Sequence, residues 1–198
     1  MKIGIIGAGE IGKAFATRAA AAGYEIMISN SRGPESLREF ASSLGDSVSA
    51  VDLNTAMSAD VLFLSLPWQH IENVLKGYDF SGKIIIDPTN PILPGFVIAP
   101  LGGESSSEVL QKLIGDGKLV KAFNNLRPDV LGADPREKGG NRVIFYSGDH
   151  QDANDQVAEI ISTIGFAGVG IGSLAVGGPL QQFPGSPFAG LNLIKLNS

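Results

Sequence analysis

Near the start of the chain, Gly7-Ala8-Gly9-Glu10-Ile11-Gly12 sets three glycines at the spacing G-x-G-x-x-G, directly after the apolar run Ile3 to Ile6 and directly before an alanine-rich, helix-forming stretch. Each glycine has a mechanical task in a strand-turn-helix unit. Gly7 permits the tight turn, Gly9 lets the backbone approach a pyrophosphate, and Gly12 lets helix and strand pack closely. The helix N-terminus would then offer free N–H groups and partial positive charge to phosphates. The motif alone is weak, and a glycine turn used only for packing is the alternative. With its strand, its helix and a second strand at the expected distance, it predicts a dinucleotide site.

The rest of the chain repeats the same alternation. Glu10 to Ala22 reads as a helix stopped by Gly23, Tyr24 to Ser29 as a strand, and Pro34 opens a helix carrying Leu37, Phe40, Ala41 and Leu44 at helical spacing. Strands follow at Ser47 to Val51, Asp60 to Leu66 and Lys83 to Asp87, with a helix after Pro67 marked by Ile71, Val74 and Leu75. Pro88 to Gly103 is too rich in proline and glycine for an ordinary connection and reads as a functional loop bordering a cleft. A helix over Ser105 to Ile114 comes next, then strands at Leu119 to Phe123 and Arg142 to Ser147, a helix over Ala153 to Ile164 and a strand at Phe166 to Ile171. This predicts a doubly wound parallel-sheet Rossmann fold, one domain over residues 1–198. The apolar segment Ser173 to Ser198 would complete the cleft or a dimer interface.

Composition narrows the functions open to such a fold. With no cysteine there is no thiolate nucleophile, no thiolate metal site and no disulfide framework. The two histidines have no ligand-spaced carboxylates, so no metal site is expected. A net charge of −5 argues against a nucleic-acid or anionic-membrane surface. Glu10, Lys13 and Arg18 interrupt what would be a signal-peptide core, and no apolar run is long enough to span a bilayer, so a cytoplasmic location is expected.

The end of the second strand sets the cofactor. An NAD site places an acid there for the ribose hydroxyls, whereas this chain has Ser29-Asn30-Ser31-Arg32. Arg32 would pair with a 2′-phosphate while Asn30 and Ser31 donate hydrogen bonds, the pattern for NADP(H). The alternative for Arg32 is an exposed turn residue.

In a doubly wound sheet the ligand lies beyond the carboxyl ends of the strands. The candidates are therefore Ser65-Leu66-Pro67-Trp68 with His70, Asp87 to Pro91 including Asn90, Ala122-Phe123-Asn124-Asn125, and the Gly172-Ser173 turn. The cofactor set is Gly7, Gly9, Glu10, Ile11, Gly12, Asn30, Ser31, Arg32, Leu66, Pro67, Trp68 and Asn90. His70 is the candidate acid for catalysis, against the alternative that it points to solvent.

Gly7 to Gly12, the string Ser29-Asn30-Ser31-Arg32-Gly33-Pro34, the Pro67-Trp68 strand end and Gly178-Pro179-Leu180 with Leu191 together resemble the NADP-dependent oxidoreductases of the deazaflavin coenzyme F420. Wider relatives of that family are the N-terminal domains of pyrroline-5-carboxylate reductase and of the membrane ferric reductases. The resemblance implies hydride transfer between NADP(H) and a flat partner, coenzyme F420 or a flavin, with the protein supplying orientation rather than an acid or base. It assigns Gly9, Ile11 and Gly12 to the pyrophosphate, Ser31 and Arg32 to the 2′-phosphate, and Pro67 and Trp68 to the cleft. Asp87 to Pro91, Phe123 to Asn125 and Gln181-Gln182-Phe183-Pro184-Gly185 depart from the members that use the deazaflavin. Two further readings stand beside this one: an NADPH-dependent reductase of a small imine or ketone, and a non-catalytic NADP(H) sensor. A homodimer is expected.

Overall fold

The structure, a computed structural model, describes residues 1–137 and 139–197. The first half follows the expected alternation. Strand β1 (Lys2–Ile6) leads through the glycine turn to helix α1 (Glu10–Ala21), then β2 (Glu25–Ser29), a 3₁₀ turn (Pro34–Leu37), α2 (Arg38–Ser43) and β3 (Val48–Ala50). After α3 (Leu53–Met57) come β4 (Val61–Leu64), a 3₁₀ turn (Trp68–His70), α4 (Ile71–Leu75) and β5 (Ile84–Asp87). The Pro/Gly-rich passage holds a small hairpin, β6 (Ile92–Leu93) with β7 (Val97–Ile98). It is followed by α5 (Ser106–Ile114), β8 (Lys118–Ala122), α6 (Pro128–Gly132), β9 (Arg136–Glu137), β10 (Gly140–Gly148), α7 (Gln151–Thr163), β11 (Ala167–Gly170), α8 (Leu174–Gln181) and β12 (Ile194–Leu196).

The main sheet runs in the order β11-β10-β8-β5-β4-β1-β2-β3. From β3 to β8 every neighbour is parallel, which makes the fold mixed α/β with a mostly parallel, Rossmann-like sheet. Its strands are buried on both faces, so alternate residues feed two cores. Ile3, Ile5, Phe63 and Ile86 meet α1, α2, α6 and α7, while Ile6, Leu62, Leu64 and Ile85 meet α3, α4, α5 and α8. Phe15 of α1 stacks on Phe63 of β4 at 3.9 Å between ring centres, and both touch Phe123 edge-on. Each such pair contributes about 0.5–1.5 kcal/mol beyond its buried area. That packing holds Phe123, a non-glycine residue at φ 66°, in the left-handed region just past β8.

At one edge the mostly parallel sheet carries strands that run the other way. β10 runs antiparallel to β8, with Tyr146 opposite Ala122, and β11 is parallel to β10, so both point against the rest. The link from β8 to β10, through α6 and β9, turns at the carboxyl edge of the sheet and returns alongside β8. β9 and β12 add antiparallel pairs to the start of β10. The segment Ser173 to Ser198, expected to complete the cleft or a dimer interface, contains α8 and β12; its last residue, Ser198, lies outside the described residues.

Helix α5 begins where expected because Ser105 and Glu108 form a reciprocal capping box. The Ser105 N–H and then its hydroxyl hold the Glu108 carboxyl below its ordinary value of 4.5. A group depressed in the folded state stabilises above its unfolded pKa and loses that contribution as pH falls through the folded value. Ser105→Ala should cost about 1 kcal/mol in urea unfolding at neutral pH. Glu108→Gln should flatten the acid limb of stability; an unchanged limb would show that the box contributes nothing.

Candidate dinucleotide cleft

The chain order reverses between β1 and β4: the strands run from β1 outward to β3, then cross to β4 on the other side of β1. Such a switch point leaves a crevice at the carboxyl edge, and a cleft of about 840 Å³ occupies it. A smaller chamber of about 380 Å³ adjoins it, the two sharing Gly9, Ser65, Leu66 and Pro67.

The glycines divide their tasks as their environments require. Gly7 has φ 103°, and a Cβ there would stand 2.0 Å from the Ser65 carbonyl oxygen, so both conformation and proximity to β4 demand glycine. A Cβ on Gly12 would stand 2.2 Å from the Gly7 carbonyl oxygen. Gly12 itself lines neither cavity; it closes α1 onto the turn. Gly9 is different. Its backbone is extended, φ −73° and ψ −172°, and an added Cβ would meet no atom within 4 Å. Folding does not require glycine there; the space over the N-terminus of α1 does. No side chain caps that end, so its first N–H groups remain available. An extended phosphate group fits the cradle that a Cβ would fill.

At the end of β2, Asn30, Ser31 and Arg32 line the larger cleft, facing Gly7 from the end of β1. The Asn30 side chain is spent on the loop: its Oδ1 accepts from the Arg32 N–H at 2.9 Å, and its Nδ2 donates to the Ser36 hydroxyl at 2.9 Å. Ser31 and Arg32 are exposed. Arg38, Arg127, Arg136 and Arg142 each pair with a carboxylate, whereas Arg32 has no acidic partner among the described residues. Asp52 also lines this cleft, but its carboxylate caps α3; the Thr55 N–H and then the Thr55 hydroxyl lower its pKa.

The smaller chamber takes Glu10, Ile11, Leu66, Pro67, Trp68 and Asn90 from the expected set, with Pro88, Thr89, Ile92 and Pro128. His70 is exposed and lines the larger cleft beside Asn73 and Val74, not the chamber. Gly172-Ser173 is not part of either wall. Because β11 is reversed, its end lies at the opposite edge, beside Gly148, and Ser173 caps α8. Asn124 and Asn125 are buried: Asn124 Nδ2 donates to Asn90 Oδ1 and to the Gln181 carbonyl, and Asn125 Nδ2 donates to the Leu191 carbonyl.

One buried feature behind the chamber was absent from the sequence reading. Asp87 and Lys121, both without solvent exposure, are register partners on β5 and β8 and form an ion pair at 3.1 Å. Two lines of the sequence carried a signal: a lysine inside the apolar run Leu119 to Phe123, and an aspartate closing Ile84-Ile85-Ile86.

Residues 2–91 match the family described as NADP oxidoreductase, coenzyme F420-dependent. A hypothetical protein from Sinorhizobium meliloti is 47% identical, with a TM-score of 0.91 over 98% of this chain and 95% of that one. A putative F420-dependent NADP-reductase from Arthrobacter sp. is 21% identical, with a TM-score of 0.74 over 88% of this chain and 86% of its own, a likeness of fold. Metalloreductase STEAP3 of Rattus norvegicus is 29% identical over 184 residues, 92% of this chain but 36% of the length of that relative. Among the described residues, no helix is long and apolar enough to cross a membrane.

The glycine geometry makes a paired prediction. Gly12→Ala should lose about 1–3 kcal/mol of stability through overpacking, whereas Gly9→Ala should keep its melting temperature and still bind NADPH more weakly. Calorimetry and titration of the two variants check this; equal behaviour of both would refute the division of tasks.

Proposed function

We propose that this chain, whose residues 2–91 match the model of the coenzyme F420-dependent NADP oxidoreductases, is an NADP(H)-dependent oxidoreductase passing hydride between the nicotinamide and a flat acceptor, coenzyme F420 or a flavin. One observation carries the cofactor preference. Where an acid would meet the ribose hydroxyls of NAD, the cleft offers an arginine with no acidic partner among the described residues. A guanidinium accepts a phosphate in two parallel hydrogen bonds.

In this reading Ser31 and Arg32 hold the 2′-phosphate, with Asn30 keeping their loop in shape. Gly9 leaves room for the pyrophosphate, and the first N–H groups of α1 donate to it. Gly7 and Gly12 act by closing the turn. Ile11, Leu66, Pro67, Trp68 and Asn90, with Glu10 at the rim, border the chamber for the nicotinamide and its acceptor. NADPH supplies the hydride. The chain's contribution is orientation and exclusion of water from a proline- and tryptophan-walled space. Reduction of an imine or ketone would need a proton donor beside the acceptor, and the titratable side chain lining the chamber is Glu10, exposed at the start of α1. Transfer to a flat acceptor makes no such demand, which favours that reading.

Mixing the protein with NADPH and either coenzyme F420 or FMN should bleach the reduced-nicotinamide absorbance; silence with both would overturn the acceptor assignment. Arg32→Asp should lower the preference for NADPH over NADH by roughly 10- to 100-fold, the worth of a charge-assisted hydrogen bond. Retention of the preference would refute the role of Arg32. His70 borders the adenosine half, so His70→Ala should leave the turnover rate at saturating NADPH unchanged, and a large fall would restore it as a catalytic acid.

A further inference from the structure

The Pro88-Thr89-Asn90 stretch forms one wall of the smaller chamber without belonging to any helix or strand. Pro88 and Pro91 restrict their own φ angles, so the wall's remaining freedom lies at Thr89 and Asn90. Thr89 is gripped at every polar atom. Its N–H and hydroxyl donate to Asp87 Oδ1 at 2.8 and 2.6 Å, and its carbonyl accepts from Lys121 Nζ at 2.8 Å. Asp87 Oδ2 accepts from Lys121 Nζ at 3.1 Å and from the Ser107 hydroxyl at 3.0 Å. Asn90 is fixed from the other side, its Oδ1 accepting from Asn124 Nδ2 and from the Phe183 N–H.

A buried ion pair is a poor way to stabilise a fold, since apolar residues of similar volume often do as well or better. An apolar pair, however, could not hold the backbone and hydroxyl of Thr89. From this we propose that Lys121 and Asp87 are positioning residues, which lock the Pro88-Thr89-Asn90 wall in the conformation that receives the nicotinamide half of the cofactor. The proposal rests on the reading above that the smaller chamber takes that half.

The test compares NADPH with adenosine 2′,5′-bisphosphate, a fragment that reaches only the larger cleft. The proteins are the wild type, the double variant Asp87→Leu/Lys121→Met, and Thr89→Val, which loses the hydroxyl bond alone. Wild type should bind NADPH more tightly than the fragment. Both variants should lose about tenfold of that excess, equivalent to one strong hydrogen bond, while fragment affinity stays constant. The double variant leaves the Thr89 N–H and carbonyl and the Ser107 hydroxyl without these partners, so it should melt below wild type while its fragment affinity is kept. A merely structural role would lower the affinities for NADPH and for the fragment together. Variants that keep the full excess overturn the proposal. If the double variant fails to fold, Thr89→Val decides alone. If wild type itself shows no excess for NADPH, the placement of the nicotinamide fails and the proposal falls with it; if it binds neither probe, the cofactor assignment fails instead.

Discussion

Two opposite charges without solvent contact, Asp87 and Lys121, face each other across adjacent strands at the edge of the sheet where the cleft opens. Removing each ion from water costs several kcal/mol, which their attraction offsets only when the remaining donors and acceptors are also used. Here they are used on separate parts of the chain. Asp87 takes bonds from Thr89 in its own loop and from Ser107 at the start of α5, while Lys121 reaches the Thr89 carbonyl. The backbone of Lys121 accepts from Gln181 at the end of α8, whose side chain also donates to Ser147 on β10. Five elements that hydrophobic packing alone would leave free to slide are thus referred to one point behind the chamber.

The glycine turn supplies the complementary constraint at the other end. Gly7 and Gly12 bring α1 against β4 closely enough that a methyl group would overlap backbone oxygen, and this leaves the N-terminus of α1 facing the switch point. The two halves of the cleft consequently differ in kind. One presents an unspent helix terminus and an arginine; the other presents prolines, a tryptophan and two isoleucines with Glu10 as its charged side chain. On the proposed assignment, binding free energy gathered from phosphates in the first half is available to hold a ring in the second, where orientation counts for more than affinity.

The parallel half of the fold was legible because its signals are local. Apolar runs, helical spacing, glycine stops and the capping residue Ser105 all act within a few positions. The helices α3 and α6, at five residues each, carry too little periodicity to be read. Strand direction carries none: the apolar pattern of β10 is the same whichever way it runs. At the site, Arg32, Gly9 and the Pro67-Trp68 strand end stand where the motif implies. Asn30 was read as a phosphate donor, whereas an asparagine at a strand exit commonly bonds its own backbone two residues on, and here it does. Lys121 was overlooked because its meaning depends on a partner 34 residues away.

The reversal of β10 and β11 also explains what the C-terminal segment does. Strands pointing away from the cleft deliver the chain to the far edge at Gly172, and α8 then carries it back along the sheet. It arrives beside the chamber: the Gln181 carbonyl accepts from Asn124, Gln182 accepts from the Ser106 N–H, and the Phe183 N–H donates to Asn90. No residue of this segment lines the chamber, yet each of these bonds ends on a residue of the wall or on one directly bonded to or beside those that hold it. A parallel continuation of the sheet would have brought β10 and β11 out at the cleft edge and left that wall without support from behind. The geometry of the smaller chamber's wall therefore depends on a change of strand direction far from the glycine motif, through the bonds around Asn90 and Lys121.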